Sequence, residues 1–173
     1  MLLKLIGGIL VIAACSMFGI AVSNRYSGRS RELKRLRTSL QLLETEIAYG
    51  SNPLPYAFSN IGAKLDGILS RFYSTASENL SNGLYRSVSD AWNDAIEKDI
   101  KNSPFNKMDI ELLRSFGNIL GNSDSLDQQK HFKLFYAQLK HHEELAEEER
   151  RKNEKMYKSL GFLFGLVIFI LLI

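Results

Sequence analysis

The stretch LETEIAYGSNPLPYAF, residues 43–58, contains a break between two helices and so decides how the chain folds. Apolar residues lead into it at alternating spacings of three and four, the pattern of one helical stripe: they are Leu33, Leu36, Leu40, Leu43 and Ile47. We therefore predict a helix over residues 30–49, with Ser30 as its N-cap and Gly50 as the residue that ends it. Pro53 and Pro55 stop this helix, because each lacks a backbone N–H and disfavours helical geometry in the residue before it.

Further helices are predicted beyond this break, and no segment alternates with the period of a strand. Helical spacing of apolar residues indicates helices over residues 54–65, 66–80, 84–101 and 108–120. The turns between them are expected at 81–83, 103–104 and 121–123. One long helix is expected over 124–173, and its highly charged part, 143–158, is expected to be a solvated stalk. Trp92 is interpreted as an anchor of the core.

Both ends of the chain are apolar enough to suggest membrane segments. Residues 5–22, LIGGILVIAACSMFGIAV, carry no charge and form a helix of ~27 Å, close to the ~30 Å hydrocarbon core of a bilayer. Residues 160–173, LGFLFGLVIFILLI, reach only ~21 Å, so a half-inserted anchor is the alternative to a full span. The predicted fold class is all-α: an antiparallel helical bundle between an N-terminal and a C-terminal transmembrane helix.

Basic residues flank both apolar ends on the side of the middle domain. The positive-inside rule then places residues 25–158 in the cytoplasm, between membrane segments at 1–24 and 159–173. Topology and contact with anionic lipid explain these basic positions, and a partner's acidic face is the alternative. The flanking residues are Arg25, Arg29, Arg31, Arg35, Arg150, Arg151, Lys155 and Lys158.

The single cysteine, Cys15, excludes an internal disulfide and raises one rival topology. Ile12-Ala13-Ala14-Cys15 resembles a bacterial lipoprotein cleavage box, which would make the chain a lipid-anchored, extracytoplasmic helical protein. Against that reading, the apolar run continues to Val22, where a lipoprotein would turn polar.

The sequence shows no motif for catalysis, cofactors or nucleic acid. No glycine-rich nucleotide cradle occurs, and a solvated helix face explains His141 and His142 better than a metal site does. Of 22 basic and 19 acidic side chains, all but Lys4 lie between Arg25 and Lys158, so the middle domain is nearly neutral. That balance disfavours nucleic-acid binding. We expect a non-enzymatic protein without metal or cofactor.

The break at 50–56 is the candidate partner-binding site. Two prolines around one leucine make a rigid apolar corner near two carboxylates, and loops on a rigid scaffold often carry binding function. Ending two helices explains the same residues structurally, and the sequence leaves both readings open. The residues assigned to the site are Glu44, Glu46, Tyr49, Gly50, Pro53, Leu54, Pro55 and Tyr56.

Several stretches together resemble one known family. LETEIAYG followed by NPLPYAF, then FGNILGNSDSLDQQKHF and the closing KMYKSLGFLFGLVIFILLI, are similar to the stage III sporulation protein AB family of endospore-forming bacteria. The opening apolar run, with its NRY and REL-x-x-LR sequel, agrees as well. Two positions depart from the family pattern: Tyr56, where an acidic residue is expected, and Phe58, where leucine is expected.

The resemblance implies a membrane protein of the mother cell, placed in the membrane that faces the forespore. Members belong to a channel-like complex between the two cells, and their helical domain is similar to the F-type platform proteins of type II secretion. The implied partners are a secretion-type cytoplasmic ATPase and ring-forming channel proteins, with Glu44 and Glu46 pairing with a partner's basic residues. The alternative is a homo-oligomerising subunit that contributes to a pore through glycines 7, 8, 19, 161 and 165.

Overall fold

The structure, a computed structural model, describes residues 2–50, 52–120 and 125–172, and it confirms the all-α fold class. No strand occurs among these residues. The predicted turn at 121–123 lies outside them. The elements in chain order are α1 (Leu2–Gly50), α2 (Leu54–Lys64), α3 (Gly67–Ser81), α4 (Val88–Ala95) with a π-helical turn (Ile96–Ile100) after it, α5 (Lys107–Leu120) and α6 (Ser125–Leu172).

The chain divides into two compact units. The first consists of the described residues up to Arg31 together with those from Glu144 onward, so it contains parts of α1 and α6. The second runs from Glu32 to Glu143 and contains the rest of the helices. The candidate partner-binding residues all fall in this second unit.

The apolar stripe of α1 forms one side of the core of the second unit, as the spacing predicted. Leu33, Leu36, Leu40 and Leu43 are buried, whereas Ile47 is half-buried. Beside this stripe the Ser39 hydroxyl donates to the Leu36 carbonyl at 2.7 Å and lies 3.0 Å from the Tyr73 hydroxyl. The buried tyrosine hydroxyl therefore has a partner, as buried polar groups require.

Trp92 is at the centre of an aromatic cluster contributed by four helices, which confirms its predicted place in the core. Its indole N–H donates to the Leu113 carbonyl at 2.9 Å, so the polar end of the ring is paired as well. Ring centroids lie 4.6–5.9 Å from that of Trp92, within the usual range for aromatic pairs. The partner rings are Phe58, Phe72, Tyr73 and Phe116.

Gly117 of α5 leaves space for the Trp92 ring, a role that the spacing of apolar residues did not indicate. A Cβ atom at this position would lie 2.8 Å from Cγ and 3.0 Å from Nε1 of Trp92, and nearer still to Cδ1. Real carbon atoms do not approach a rigid ring so closely. The glycine therefore provides the space into which the edge of the indole fits.

The helix predicted over 84–101 is shorter and less regular than expected. Residues 84–87 are not helical, and α4 begins at Val88 after Ser87, whose hydroxyl accepts the Asp90 backbone N–H at 3.0 Å. The cap bond explains this start, because Ser87 satisfies a donor that the first turn leaves free. A π-helical turn follows at the other end, and both Ile96 and Ile100 are buried there.

The turn predicted at 81–83 is confirmed. Asn82 donates its backbone N–H to the Glu78 carbonyl, and Gly83 donates to that of Leu80 at 3.2 Å. Gly83 has a φ of +65°, a left-handed conformation that favours glycine.

In the first unit, the predicted N-cap is wrong, and the predicted stalk is solvated only in part. Ser30 lies inside α1, which is one helix from Leu2 to Gly50, and its buried hydroxyl donates to the Glu147 carboxylate at 2.7 Å. Residues 144–157 are therefore not a fully solvated stalk, because part of their charge faces α1. Glu147 also forms an ion pair with Arg151, one turn further along α6, at 3.6 Å.

Membrane spans are not evident from the described helices. Among the residues that the structure describes, no helix has a stretch long and apolar enough to cross a bilayer. The two transmembrane segments stay a prediction from the sequence.

Candidate partner-docking site at the proline corner

The proline corner, which we define as Asn52, Pro53, Leu54, Pro55 and Tyr56, follows the end of α1 and opens α2. The Pro53 carbonyl accepts the backbone N–H groups of Tyr56 at 2.9 Å and Ala57 at 3.1 Å. Pro55 sits in the first turn of the helix, where a missing N–H costs nothing. The backbone of the corner is therefore stiff before any partner binds.

A second contact fixes the corner to α3. The buried Ser77 hydroxyl donates to the Pro55 carbonyl at 2.7 Å. Next to it, a Cβ on the buried Gly62 would come within 3.3 Å of the Ser70 carbonyl, so α2 and α3 approach closely. Rigid support of this kind reduces the ordering cost of binding.

Glu46 takes part in contacts within the chain. The Asn52 side-chain amide donates to its Oε2 at 3.2 Å, and the Lys64 ammonium lies 3.5 Å from its Oε1. These contacts link the end of α1 to the start and end of α2. The carboxylate thus has a structural explanation, and pairing with a partner's basic residue stays a prediction.

Glu44 is half-buried and lies beside Tyr136 of α6. Burial raises the pKa of Tyr136, and the neighbouring Glu44 carboxylate raises it further. The phenol is therefore neutral under physiological conditions and suited to donate toward this carboxylate. Glu44 and Glu46 are thus both half-buried and have neighbours within the helical bundle.

Tyr56 is the most available side chain of the corner. Its side chain is 56% exposed, and Pro53 is exposed beside it, whereas Leu54 and Pro55 are half-buried. Tyrosine is among the residues that most often dominate binding energy at interfaces. The side chain of Tyr49 lies outside the described residues, and Gly50 is the last residue of α1.

Several of the predicted membrane-flanking arginines pair with acidic residues of the chain, among them Arg29 and Arg35. In the first unit, the buried Arg29 guanidinium lies 2.7 Å from the Glu149 carboxylate. In the second unit, Arg35 donates to the Asp66 backbone carbonyl at 2.8 Å and forms an ion pair with the Asp66 carboxylate. Contacts inside each unit therefore explain these two residues without lipid.

The other flanking residues differ in their exposure. Arg150 donates to the Glu147 carboxylate at 2.7 Å. The flanking residues with exposed side chains are Arg31, Arg151 and Lys155. The flanking residues whose side chains lie outside the described set are Arg25 and Lys158. Arg151 is also paired with Glu147, and lipid contact stays a prediction for Arg25, Arg31, Arg151, Lys155 and Lys158.

The expectation that His142 lies on a solvated face is wrong. Its Nδ1 is 2.7 Å from Oδ1 of Asp109, a buried residue near the start of α5. Asp109 and Asn106 also exchange two bonds of 2.9 Å, each side chain accepting the other's backbone N–H. The spacing Asn106-x-x-Asp109 is a capping-box pattern, which marks the start of α5 but does not indicate the contact of Asp109 with His142 on another helix.

His141, in contrast, is exposed as expected. Within the described parts of the chain, no three histidine, cysteine or acidic residues come together as metal ligands.

Residues 4–173 match the family model described as Stage III sporulation protein AB. This chain belongs to that family. Stage III sporulation protein AB of Bacillus subtilis (strain 168) is 39% identical over 171 residues, which is 99% of this chain and 99% of the relative. The solved structure of a Stage III sporulation protein AB (SpoIIIAB) is similar with a TM-score of 0.67 and 36% identity, over 71% of this chain and 96% of that one.

Membership in the stage III sporulation protein AB family confirms the resemblance found in the sequence. The family name denotes a sporulation protein and includes no enzymatic activity. The helical fold agrees with that of the solved relative, and the match extends over nearly the whole length of both chains in the sequence comparison.

Proposed function

We propose that this chain is a non-enzymatic membrane platform in a secretion-like channel complex between mother cell and forespore. In this proposal residues 25–158 lie in the mother-cell cytoplasm and bind a secretion-type ATPase, while ring-forming channel proteins contact the membrane side. The observation that carries the proposal is the proline corner: a stiff backbone, bonded to α3 through Ser77, presents the exposed Tyr56. Family membership supports the sporulation role.

The membrane part of the proposal rests on composition. The uncharged run 5–22, the apolar run 160–173 and the basic residues beside each are typical of membrane anchors with a cytoplasmic middle domain. Such a chain would hold its helical bundle close to the membrane that faces the forespore. A cytoplasmic ATPase could then be kept at the same membrane without any reaction on this chain.

Tyr56→Asp is expected to weaken ATPase binding about thirty-fold or more. Losing a central aromatic contact commonly costs about 2 kcal/mol or more, and a charge in its place would also be desolvated without a partner. We would measure binding of the ATPase of the same complex to the full chain in lipid nanodiscs. Tyr56 is a better probe than Leu54, because an aspartate at the half-buried Leu54 would also disturb folding.

Leu84→Asp is the matched control, because Leu84 is 67% exposed and lies in the connection between α3 and α4. This control should bind like the wild type. Equal binding by Tyr56→Asp, or equal weakening by both variants, would exclude the proline corner as the docking site. A wild-type chain that binds no ATPase would contradict the platform role itself.

The second candidate function is an oligomerising subunit of a pore. Gly7 favours it, because a Cβ at this position would meet nothing within 4 Å among the parts of the chain that the structure describes, which leaves room for another helix. Gly7→Leu would then abolish assembly, whereas a platform would keep its ATPase binding.

A further inference from the structure

A groove lies between α5 and α6 in the second unit, apart from the proline corner. Its volume is about 550 Å³, and it is open to solvent. The residues that line it on α5 are Glu111, Leu112 and Ser115, and those on α6 are Ala137, Gln138, His141 and His142. The His142–Asp109 contact joins the two helices at one end of the groove.

Two large apolar side chains are exposed on the helices that form the groove. Met108 of α5 is 69% exposed and Leu134 of α6 is 60% exposed. Met108 lies one turn before Leu112, and Leu134 lies one turn before Ala137 and Gln138, so both continue the lining faces along their helices. Each face is then about 10 Å long, or two helical turns. This length suits a partner helix with apolar residues at i, i+3 or i+4, and i+7.

The charge around the groove favours an acidic occupant. Along 107–120 and 130–144 the exposed carboxylates are Glu111 and Glu144. The exposed basic side chains of the same two stretches are Lys107, Lys130, Lys133 and Lys140. Lys133 and Lys140 are seven residues apart and so lie on one face of α6, next to the exposed Leu134. Carboxylates on a docked helix would face these ammonium groups.

We propose that the α5–α6 groove binds an acidic amphipathic helix of a partner protein. The apolar stripe of that helix would cover Met108, Leu112 and Leu134, and its acidic side would face Lys133 and Lys140. An open groove whose two helices also expose Met108 and Leu134 fits a helix better than a small ligand, which needs an enclosed pocket. The proposal does not depend on the docking of an ATPase at the proline corner.

Photocrosslinking from position 134 tests this proposal in the full chain. The photoreactive residue p-benzoylphenylalanine replaces Leu134 in sporulating cells, and mass spectrometry maps the crosslinked peptide of the partner. We expect a peptide with an acidic face and an apolar i, i+3/i+4, i+7 stripe. Lys133→Glu combined with Lys140→Glu should reduce the crosslink about tenfold or more, because like charges would then meet.

Two controls separate the groove from the rest of the surface. The same photoreactive residue at Leu84, which is equally exposed, should give no crosslink to that partner. Arg86→Glu with Lys101→Glu makes the same change of charge at exposed positions outside α5 and α6 and should leave the crosslink unchanged. A crosslink to lipid, to a second copy of this chain or to a segment without an acidic amphipathic pattern would overturn the proposal. The absence of any crosslink would also overturn it. So would a crosslink that both double charge reversals weaken equally.

Discussion

Trp92→Ala is expected to lower the free energy of unfolding by about 4 kcal/mol, since truncating a buried tryptophan leaves a large cavity. Four aromatic rings would lose contacts, and the Leu113 carbonyl would lose the indole N–H that lies 2.9 Å away. Because the total stability of a domain is about 5–15 kcal/mol, such a change removes a large part of it. Urea unfolding of the full chain in detergent, followed by far-ultraviolet circular dichroism, measures the effect.

Leu84→Ala is the control for this measurement, because a change at an exposed side chain usually alters stability by less than about 0.5 kcal/mol. Circular dichroism is the proper signal, since the chain has one tryptophan and the variant has none. A loss below about 1 kcal/mol would mean that the cluster around Trp92 is not tightly packed.

Gly117→Ala is expected to lower the free energy of unfolding by about 2 kcal/mol, although alanine is the better helix former. In an ordinary helix interior the same substitution would stabilise by about 1 kcal/mol. The sign reverses here because the new methyl group would meet the Trp92 ring, which the surrounding aromatic rings hold in place. The same urea titration measures the change.

Trp92→Phe distinguishes a local clash from any other effect of the alanine. Phenylalanine leaves part of the indole's space empty, so Gly117→Ala should cost much less in this background than in the wild type. The double-mutant cycle gives the interaction between the two positions directly. Equal costs in both backgrounds, or a stabilising effect in the wild type, would contradict the close contact.

The local pattern of apolar residues was enough to predict most of the helices. The stripe from Leu33 to Leu43 and the end of α1 at Gly50 follow from spacing and helix-breaking chemistry, which act over a few residues. Trp92 could be assigned to the core for the same reason. The predicted start of a helix at Ser30 failed because α1 runs unbroken through this residue, whose hydroxyl bonds to a carboxylate 117 residues away.

Contacts distant in sequence also explain what was missed in the candidate site. Pro53, Pro55 and Tyr56 could be recognised as a corner, but nothing local showed that Glu46 contacts Lys64 on α2 or that Ser77 supports Pro55. Likewise, Gly117 resembles any helical glycine until the position of the indole is known. Residue spacing within one helix cannot show which side chain of another helix comes close.

The platform role requires that the second unit lie in the cytoplasm, where a cytoplasmic ATPase can reach Tyr56. Cys15 is the only cysteine, so a Cys15→Ser chain can carry one reporter cysteine at a chosen position. Asn102→Cys suits this purpose, because Asn102 is exposed in the connection between the π-helical turn and α5. Leu3→Cys is the matched control. If the chain spans the membrane at both ends and its middle domain is cytoplasmic, position 3 lies outside the cell.

Labelling of these two cysteines with a membrane-impermeant maleimide, in intact and in permeabilised cells, is the most direct test of the account. We predict that Leu3→Cys reacts in intact cells, whereas Asn102→Cys reacts only after permeabilisation. Reaction of Asn102→Cys in intact cells would place the helical bundle outside the cytoplasm. That result would contradict the platform role and favour the lipid-anchored alternative.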